Sequence, residues 1–429
     1  MKSILVSGML VLTGLVITFT ALAASVGESA GEIWVDGPST QPGSDPNQPD
    51  AAVDHMGRSI FVWDGTPADT NTRKDIFVRI FDADGNSEVG PLQVNTYVDD
   101  AQDYPKLAVS GDGSFLVTWL SAEEPEPGDG FLRDVIRSQA FDSDANPVGD
   151  EQLLSTLDPL LTTANKVDLA ALPDGNYIVV WRSSQSANQN DTSTTIQGRL
   201  VGPNGSPLAG QFQVNSLMTS QSESWPAVTA LGDGGFLVVW TVPEVHGRRF
   251  NADTTPVGED FQINTYTNGT ESRTDVARNG DGRIAVVWQD GEESGENDEI
   301  RGRVFDENLV AQDSDFRINT LITGVQQEPE VAEYGKGGFF VVWESWVSAG
   351  DDVDPRSIEG RIVTGGNKFA SPQFMVNEWT GGSQHHPGIG GKGGRIAVGW
   401  HSQSNPETSS NVINGQFWSI CGIFCDGFE

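Results

Sequence analysis

The sequence predicts an all-β protein, a seven-bladed β-propeller built from four-stranded blades. One phrase, a turn followed by β-branched and aromatic residues and ending on Trp, occurs seven times; residues 233–240 read Asp-Gly-Gly-Phe-Leu-Val-Val-Trp. Successive copies end 48 to 62 residues apart, which is the length of a propeller blade. No helical periodicity is found after the N-terminal apolar segment. The seven tryptophans are Trp63, Trp119, Trp181, Trp240, Trp288, Trp343 and Trp400.

Each repeat opens with a short extended segment and continues into the Trp strand. Five copies of the first segment begin with proline, at Pro49, Pro105, Pro226, Pro329 and Pro387, and the other two have Val167 and Thr274 in that slot. Turns such as Gly-Asp-Gly at 111–113 precede the Trp strand, because Asp-Gly tolerates positive φ. The Trp strand is apolar on both faces, which predicts an inner strand between neighbouring sheets.

The third and fourth segments follow in fixed order. The third reads Ile-x-Gly-Arg or a relative, at 196–199, 245–248, 300–303 and 358–361. The fourth reads Phe-x-Val-Asn or a relative, at 92–95, 212–215, 261–264, 316–319 and 374–377, with a degenerate copy at 152–155. Its apolar residues recur with period two, so we expect a strand nearer the rim with one apolar face.

The two ends of the chain complement each other. The seventh repeat ends after its third strand at 412–417, whereas residues 32–35, Glu-Ile-Trp-Val, form an orphan fourth strand. We therefore predict that the last blade combines three C-terminal strands with one N-terminal strand, which removes two exposed sheet edges. The predicted organisation is a signal peptide (1–23), a flexible start (24–31), the propeller (32–418) and a Cys-containing tail (419–429).

The N-terminus indicates secretion. Lys2 precedes a mostly apolar run, and Ala21-Leu22-Ala23 offers small residues for cleavage. We expect a periplasmic, extracellular or cell-surface protein, with an uncleaved anchor as the alternative; no later stretch is apolar enough to span a membrane. In the tail, Cys421 and Cys425 are spaced so that a local disulfide is feasible, although intermolecular pairing or a processing tag remain alternatives.

The charge balance excludes two classes of partner. Against 25 Lys and Arg stand 60 Asp and Glu, a formal net charge of −35. This opposes binding to nucleic acid and to anionic lipid. It suits a soluble secreted protein, a cationic partner or divalent cations.

The repeat motifs together resemble repeats in large secreted bacterial proteins of mostly unassigned function, and they look like a β-propeller array. This resemblance covers roughly residues 32–417 and implies no activity. The ending Ile-Phe-Cys-Asp-Gly-Phe-Glu, at 423–429, is similar to short C-terminal tails of secreted proteins from some Gram-negative bacteria.

Most aromatic and arginine residues follow the repeat, which favours a packing role. We expect the seven strand-end tryptophans to pack between blades, whereas the off-pattern Trp225, Trp379 and Trp418 are candidates to face a ligand. A recurrent arginine in the third strand is predicted to reach acids or carbonyls of the next blade; a ring that holds an acidic ligand is the alternative. Its positions are Arg79, Arg199, Arg248, Arg303 and Arg361, with Gln139 and Gln416 in the other two repeats.

Candidate chemistry is sparse. The pair His385-His386, in a loop entering the seventh blade, could bind a metal or act as a base, but the sequence fixes no acidic partner. Residues 82–86 and 142–146 alternate Asp and Asn as Ca²⁺ loops do, although such residues also simply make turns. No hydrolase, zinc-protease or phosphate-binding motif is present. The sequence therefore predicts no cofactor and no metal, with Ca²⁺ as the open alternative.

These observations favour a secreted, non-enzymatic binding module that recognises a protein or a glycan through loops on one face or near the central channel. An extracellular polysaccharide hydrolase or lyase is the first alternative, and a Ca²⁺-stabilised scaffold is the second. A cluster of Asp, Glu, His and Arg in the channel mouth that departs from the repeat would favour the enzyme.

Overall fold

A computed structural model describes residues 31–37, 45–67, 73–123, 132–155, 164–184, 194–216, 223–267, 269–291, 298–335, 337–347, 356–364, 368–405 and 410–419. These residues contain strands and turns and no helix, and accordingly no helix long and apolar enough to cross a bilayer. The strands form seven antiparallel sheets arranged as a β-propeller, which confirms the predicted fold class. The predicted signal segment, the flexible start up to residue 30 and the tail from residue 420 lie outside the described residues.

In each blade the strands run in chain order from the centre to the rim. Blade 1 contains β2 (Asn47–Val53), β3 (Ser59–Gly65), β4 (Asp75–Phe81) and β5 (Ser87–Gln93). Blade 2 contains β6 (Gln102–Val109), β7 (Phe115–Glu123), β8 (Arg133–Phe141) and β9 (Pro147–Leu153). Blade 3 contains β10 (Ala164–Ala171), β11 (Tyr177–Ser183), β12 (Thr195–Val201) and β13 (Phe212–Gln213). Blade 4 contains β14 (Ser224–Ala230), β15 (Phe236–Val242), β16 (Glu244–Phe250) and β17 (Pro256–Gln262).

The remaining blades follow the same order with two variations. Blade 5 contains β18 (Thr270–Arg278), β19 (Ile284–Gly291), β20 (Glu299–Phe305) and β21 (Phe316–Arg317). Blade 6 contains β22 (Gln326–Tyr334), β23 (Gly338–Ser345) and β24 (Ser357–Thr364), and β24 pairs with two short strands, β25 (Lys368–Phe369) and β26 (Phe374–Met375). Blade 7 contains β27 (Gln384–Lys392), β28 (Arg395–Asn405), β29 (Ser410–Ser419) and the N-terminal β1 (Ile33–Trp34).

The N-terminal strand closes the ring as predicted. β1 is antiparallel to β29, with Ile33 opposite Gly415 and Trp34 opposite Asn414. The backbone N–H of Val35 donates to the Ile413 carbonyl at 2.8 Å. The last blade is therefore made from both ends of the described chain, and the pairing covers the edge of β29 at residues 413–415.

The core lies between blades, and the strand-end tryptophans build it. All seven are at most 3% exposed. Trp119 of blade 2, for example, belongs to a buried cluster with Ile60, Val62 and Ile76 of blade 1. The other tryptophans likewise join clusters that include the preceding blade, which confirms the predicted inter-blade packing.

The recurrent arginines form hydrogen bonds between adjacent blades. Each donates from Nη1 to a carbonyl at the end of the outer strand of the preceding blade around the ring, which for blade 1 is blade 7. The pairs are Arg79 with Val35, Arg199 with Leu154, Arg248 with Val214, Arg303 with Ile263 and Arg361 with Ile318, at 2.5 to 3.0 Å. The predicted structural role and the carbonyl partner are confirmed, but the predicted direction is wrong: the contact is made with the preceding blade and not with the next one.

The last residue of the fourth-strand motif has a similar repeated role. Its side-chain oxygen accepts a hydrogen bond from the backbone N–H of the residue nineteen positions earlier, as Asn319 does from Ile300 at 2.9 Å. In the degenerate copy Ser155 Oγ replaces the amide oxygen, at 3.0 Å from the N–H of Ile136. In blade 7 Asp36 accepts from Ile413 at 3.2 Å. The N-terminal strand thus makes in blade 7 the same side-chain to backbone hydrogen bond that the fourth-strand motif makes in the other blades.

Candidate functional site at the mouth of the central channel

The seven innermost strands surround a channel, and each has an irregularity near its start. At this point one non-glycine residue adopts a positive φ between 47° and 55°. Such a conformation is sterically unfavourable for L-residues, by roughly 1–2 kcal/mol each. Bulges and strained residues of this kind concentrate at functional sites, where the surrounding structure holds them in place. The seven residues are Gln48, Tyr104, Lys166, Trp225, Arg273, Glu328 and His386.

These seven residues, the mouth ring, share a backbone conformation but differ in chemistry. Each stands immediately before the Pro slot of its repeat, and no two are alike. All seven line one cavity of about 280 Å³. This is close to the lower end of small-molecule sites, which begin at about 300 Å³. The symmetric fold therefore presents an asymmetric set of side chains to one small space, as a specific binding site requires.

Six members of the mouth ring contact each other in sequence around the channel. The Lys166 ammonium lies 5.2 Å from the ring centroid of Tyr104 and 4.0 Å from that of Trp225. On the other side, Arg273 lies 5.2 Å from the Trp225 ring and forms an ion pair with Glu328. Glu328 in turn is 2.6 Å from Nδ1 of His386. The cations Lys166 and Arg273 are thus attracted to the faces of neighbouring aromatic rings by cation–π interactions.

The charges of the mouth ring are strongly perturbed. Burial opposes ionisation of Glu328, but the hydrogen bond from His386 and the charges of His386 and Arg273 outweigh it and lower the pKa of Glu328 to about 2. Burial lowers the pKa of His386, whereas Glu328 more than compensates and raises it. Burial and then the nearby Arg273 lower the pKa of Lys166. Among the described residues no carboxylate forms an ion pair with Lys166.

One layer deeper, a single lysine is surrounded by acids, which we call the acidic layer. Lys106 Nζ lies 3.1 Å from Glu330 and 3.6 Å from Asp50. Asp168 and Asp275 also interact with it electrostatically. Burial raises the pKa of Asp168 to about 7 despite Lys106, and burial likewise raises the pKa of Asp50, Asp275 and Glu330.

Three of these acids also join adjacent blades. Asp50 accepts from the backbone N–H of Leu107 at 2.9 Å, Asp168 from Val228 at 2.7 Å, and Asp275 from Val331 at 2.7 Å. Each contact crosses from one innermost strand to the next. The acidic layer is therefore structural as well as electrostatic.

Beside the mouth ring, at the junction of blades 6 and 7, a second group of polar side chains converges. Glu344 is fully buried, and its Oε1 accepts from Gln327 at 2.9 Å and from Arg356 and Trp346 at 3.2 Å each. Its Oε2 lies 3.4 Å from Nδ1 of His385.

The rings of His385 and His401 stack beside Glu344 at 5.8 Å between centroids. Burial, with the charges of His385 and His386, lowers the pKa of His401 to about 3. His401 is therefore neutral at physiological pH, which leaves its ring nitrogens able to act as a donor and an acceptor.

The sequence-predicted candidates are placed differently by the structure. Trp225 and His386 belong to the mouth ring, and His385 lies beside it. Trp379 instead makes structural contacts: its backbone N–H donates to Glu32 at 2.9 Å, and its carbonyl accepts from Asn377. Tyr97 and Tyr266 occupy the same slot of their repeats, so Trp379 follows the pattern after all.

Three further predictions have different outcomes. Trp418 is only 6% exposed and packs edge-on against Phe340, so the expectation that it faces a ligand is wrong. The disulfide candidates Cys421 and Cys425 lie outside the described residues. At the proposed Ca²⁺ loops, Asp82 and Asp142 accept hydrogen bonds from their own turns, at Asn86 and Asn146.

Sequence reasoning missed most of the site, although a signal was present. Two slots beside the most regular positions of the repeat are occupied by a different residue in every copy. One slot precedes the Pro position and forms the mouth ring. The other follows the strand-end Trp and holds Asp64, Leu120, Arg182, Thr241, Gln289, Glu344 and His401. Variation inside a strict repeat would have identified Lys166, Arg273, Glu328 and Glu344.

Comparison with known proteins supports the fold and no more. No protein-family model matches the chain, and no curated protein does either. Among solved structures, a protein of unknown function from Dyadobacter fermentans aligns with a TM-score of 0.55 at 10% identity, over 92% of this chain and 99% of that one.

Two carbohydrate-active proteins are also similar in structure. A Penicillium chrysogenum α-L-arabinanase complexed with arabinobiose gives a TM-score of 0.50 at 14% identity, over 79% of this chain and 98% of that one. A polysaccharide lyase gives 0.50 at 10% identity, over 94% and 96%. At such identities the likeness concerns the propeller fold alone.

Proposed function

We propose that the protein is a secreted binding module whose channel mouth binds a glycan that carries carboxylate groups. The observation that carries this proposal is Lys166. Its ammonium is partly desolvated and is repelled by Arg273, the attraction of Glu328 does not offset these effects on the pKa, and the ammonium forms no ion pair with a described residue. A cation in this state gains most from an anionic ligand, because the ligand supplies the missing counter-charge. Because acids outnumber bases and the net charge is −35, a lysine without an ion-pair partner is unusual in this chain.

The surroundings of Lys166 suit a sugar acid. Tyr104, which lines the same cavity, is 42% exposed and provides an apolar face on which a sugar ring can stack. Arg273, whose guanidinium also pairs with Glu328, adds donors for a carboxylate. The cavity volume of about 280 Å³ suits one terminal unit of a chain or a small sugar. The predicted signal segment is consistent with a ligand outside the cell.

Calorimetric titration of the purified protein with oligogalacturonate and oligoglucuronate, against neutral oligosaccharides of the same length, tests this function. We expect the acidic sugars alone to bind, and Lys166→Met to weaken that binding at least tenfold. The variant should remain folded, since Met keeps the apolar contacts of the side chain and Lys166 forms no ion pair with a described residue. Lys392→Met, an exposed lysine at the other end of the channel, is the matched control. Equal binding of neutral and acidic sugars, or an unaffected Lys166→Met variant, would contradict the proposal.

A second candidate is an enzyme that cleaves the same glycan. It is favoured by the cluster of Glu328, Glu344, His385 and His386, which departs from the repeat as the enzyme hypothesis requires. Perturbed titratable groups of this kind concentrate in active sites. Incubation with polyuronates, followed by assays for new reducing ends and for the ultraviolet absorbance of unsaturated products, separates the two. Binding without either product leaves the binding module as the function.

A further inference from the structure

The junction of blades 6 and 7 brings three metal-binding side chains together. Glu328 comes from β22, Glu344 from β23 and His386 from β27. One ligand atom of each lies within 4.8 Å of the other two. Zinc binds carboxylate oxygen and imidazole nitrogen at about 2.0–2.2 Å, so donor atoms on one ion are some 3–4 Å apart. Small side-chain movements are enough to bring these three atoms onto one ion.

Glu344 provides an independent indication of a ligand. The side chain is fully buried, and three donors fix its Oε1. The other oxygen, Oε2, has no hydrogen-bond partner within the described part of the chain. Leaving a buried polar atom unsatisfied costs about 1–3 kcal/mol, and more for a charged group. The one close polar contact of Oε2 among the described residues is Nδ1 of His385, at 3.4 Å. A carboxylate with one oxygen held by donors and the other without a hydrogen bond is arranged as a metal ligand supported by outer hydrogen bonds.

A second buried atom nearby is also without a partner. His401 Nε2 makes no hydrogen bond to any described residue, although His401 is only 7% exposed. The ring stacks on His385, whose Nδ1 accepts from Arg356 at 3.0 Å. Three of the five histidines in the chain therefore lie at this junction.

We propose that Glu328, Glu344 and His386 bind one divalent transition-metal ion of the zinc class. Two carboxylates and an imidazole match the ligands that such ions accept. Ca²⁺ fits less well, because it takes six to eight oxygen ligands and the site offers two carboxylates and a nitrogen. Three protein ligands leave a fourth position for water or for an oxygen of a ligand in the mouth ring.

The neighbouring arginines set the strength of the site. Arg273 pairs with Glu328, and Arg356 pairs with Glu344. Each carboxylate that binds the ion is therefore also paired with a guanidinium of its own. Because positive charges lie close by, we expect weaker binding than at a structural zinc site. The ion instead neutralises the two carboxylates where they approach each other. This inference does not depend on the identity of the glycan.

The test uses chelator-treated protein titrated with ZnCl₂, MnCl₂ and CaCl₂ in competition with a chromophoric chelator. A parallel protein carrying Cys421→Ser and Cys425→Ser removes thiolates that could bind zinc elsewhere. We expect one Zn²⁺ per chain in both proteins. We expect at least tenfold weaker binding in Glu344→Gln and in His386→Gln. Glu344→Gln keeps the oxygen that accepts from Gln327 and Arg356, so the junction should remain intact.

His55→Gln serves as the matched control, because His55 is exposed at the opposite end of the channel. It should leave zinc affinity unchanged, and the thermal midpoint of Glu344→Gln without metal should stay near that of the parent. Four results would overturn the proposal: no Zn²⁺ or Mn²⁺ bound, zinc affinity unaffected by Glu344→Gln, Ca²⁺ bound more tightly than Zn²⁺ at the same residues, or loss of zinc binding only in the Cys variants. Glycan binding measured in parallel shows whether the two proposals fail together or separately.

Discussion

Lys106 is the one cation of the acidic layer, and replacing it should show how the channel is stabilised. Lys106→Met keeps the length of the side chain and removes the charge. Four carboxylates then remain without a counter-ion: Asp50, Asp168, Asp275 and Glu330. Breaking a buried ion pair by removing one partner typically costs 3–5 kcal/mol. Because the Lys106 side chain is 26% exposed to the channel, we expect the lower end, about 3 kcal/mol at pH 8.

The cost of Lys106→Met should depend on pH. Burial raises the pKa of Asp168 to about 7 in the folded protein, from an ordinary value of 3.8. Between these values the folded protein retains a proton that the unfolded chain releases, so the stability of the parent falls as pH rises through this window. Below pH 5 Asp168, Asp275 and Glu330 are largely protonated, and burial favours the protonated form of Asp50 as well, so Lys106 has less charge to neutralise. The difference between Lys106→Met and the parent should therefore nearly vanish there.

Urea unfolding at pH 5 and pH 8, followed by tryptophan fluorescence, measures both effects. The midpoint of Lys106→Met should be clearly lower than that of the parent at pH 8 and close to it at pH 5. Lys392→Met, with its exposed side chain on β27, should match the parent at both values. If Lys106→Met unfolds like the parent at pH 8, or is destabilised equally at both pH values, the electrostatic account of the acidic layer is wrong.

Two further predictions concern the repeat and its closure. Asn319→Ala leaves the buried N–H of Ile300 unsatisfied and should lower the free energy of unfolding by about 1–3 kcal/mol, whereas the exposed Asn308→Ala should not; equal urea midpoints would refute the role of this contact. A chain that begins at residue 45 lacks β1 and exposes the edge of β29, so compared with a chain that begins at residue 31 it should melt earlier and self-associate on size-exclusion chromatography. Indistinguishable behaviour of the two chains would show that β1 contributes little to closure.

The fold could be predicted because its signals are local and repeated. The Trp phrase, the Ile-x-Gly-Arg motif and the Phe-x-Val-Asn motif each report a contact that every blade makes in the same way. The orphan strand at 32–35 was recognisable because the seventh repeat lacks that element. The error concerned a residue taken as off-pattern: Trp418 is a core residue. Trp379, also taken as off-pattern, occupies a slot that holds Tyr97 and Tyr266 in other repeats. Both have structural contacts, Trp418 in the core and Trp379 at the rim.

The sequence alone determined the number of blades, the order of strands and the joining of the two ends, because periodic burial and turn chemistry act over a few residues. Only the tertiary structure decided the site. The mouth ring takes one residue from each repeat, and Gln48 and His386 become neighbours in one cavity only when the ring closes. Distances between blades decide whether His386 can pair with Glu328. They also decide that, among the described residues, Lys166 has no ion-pair partner and Oε2 of Glu344 has no hydrogen bond. No local pattern encodes those distances, since each residue is held by the packing of its own blade against the next.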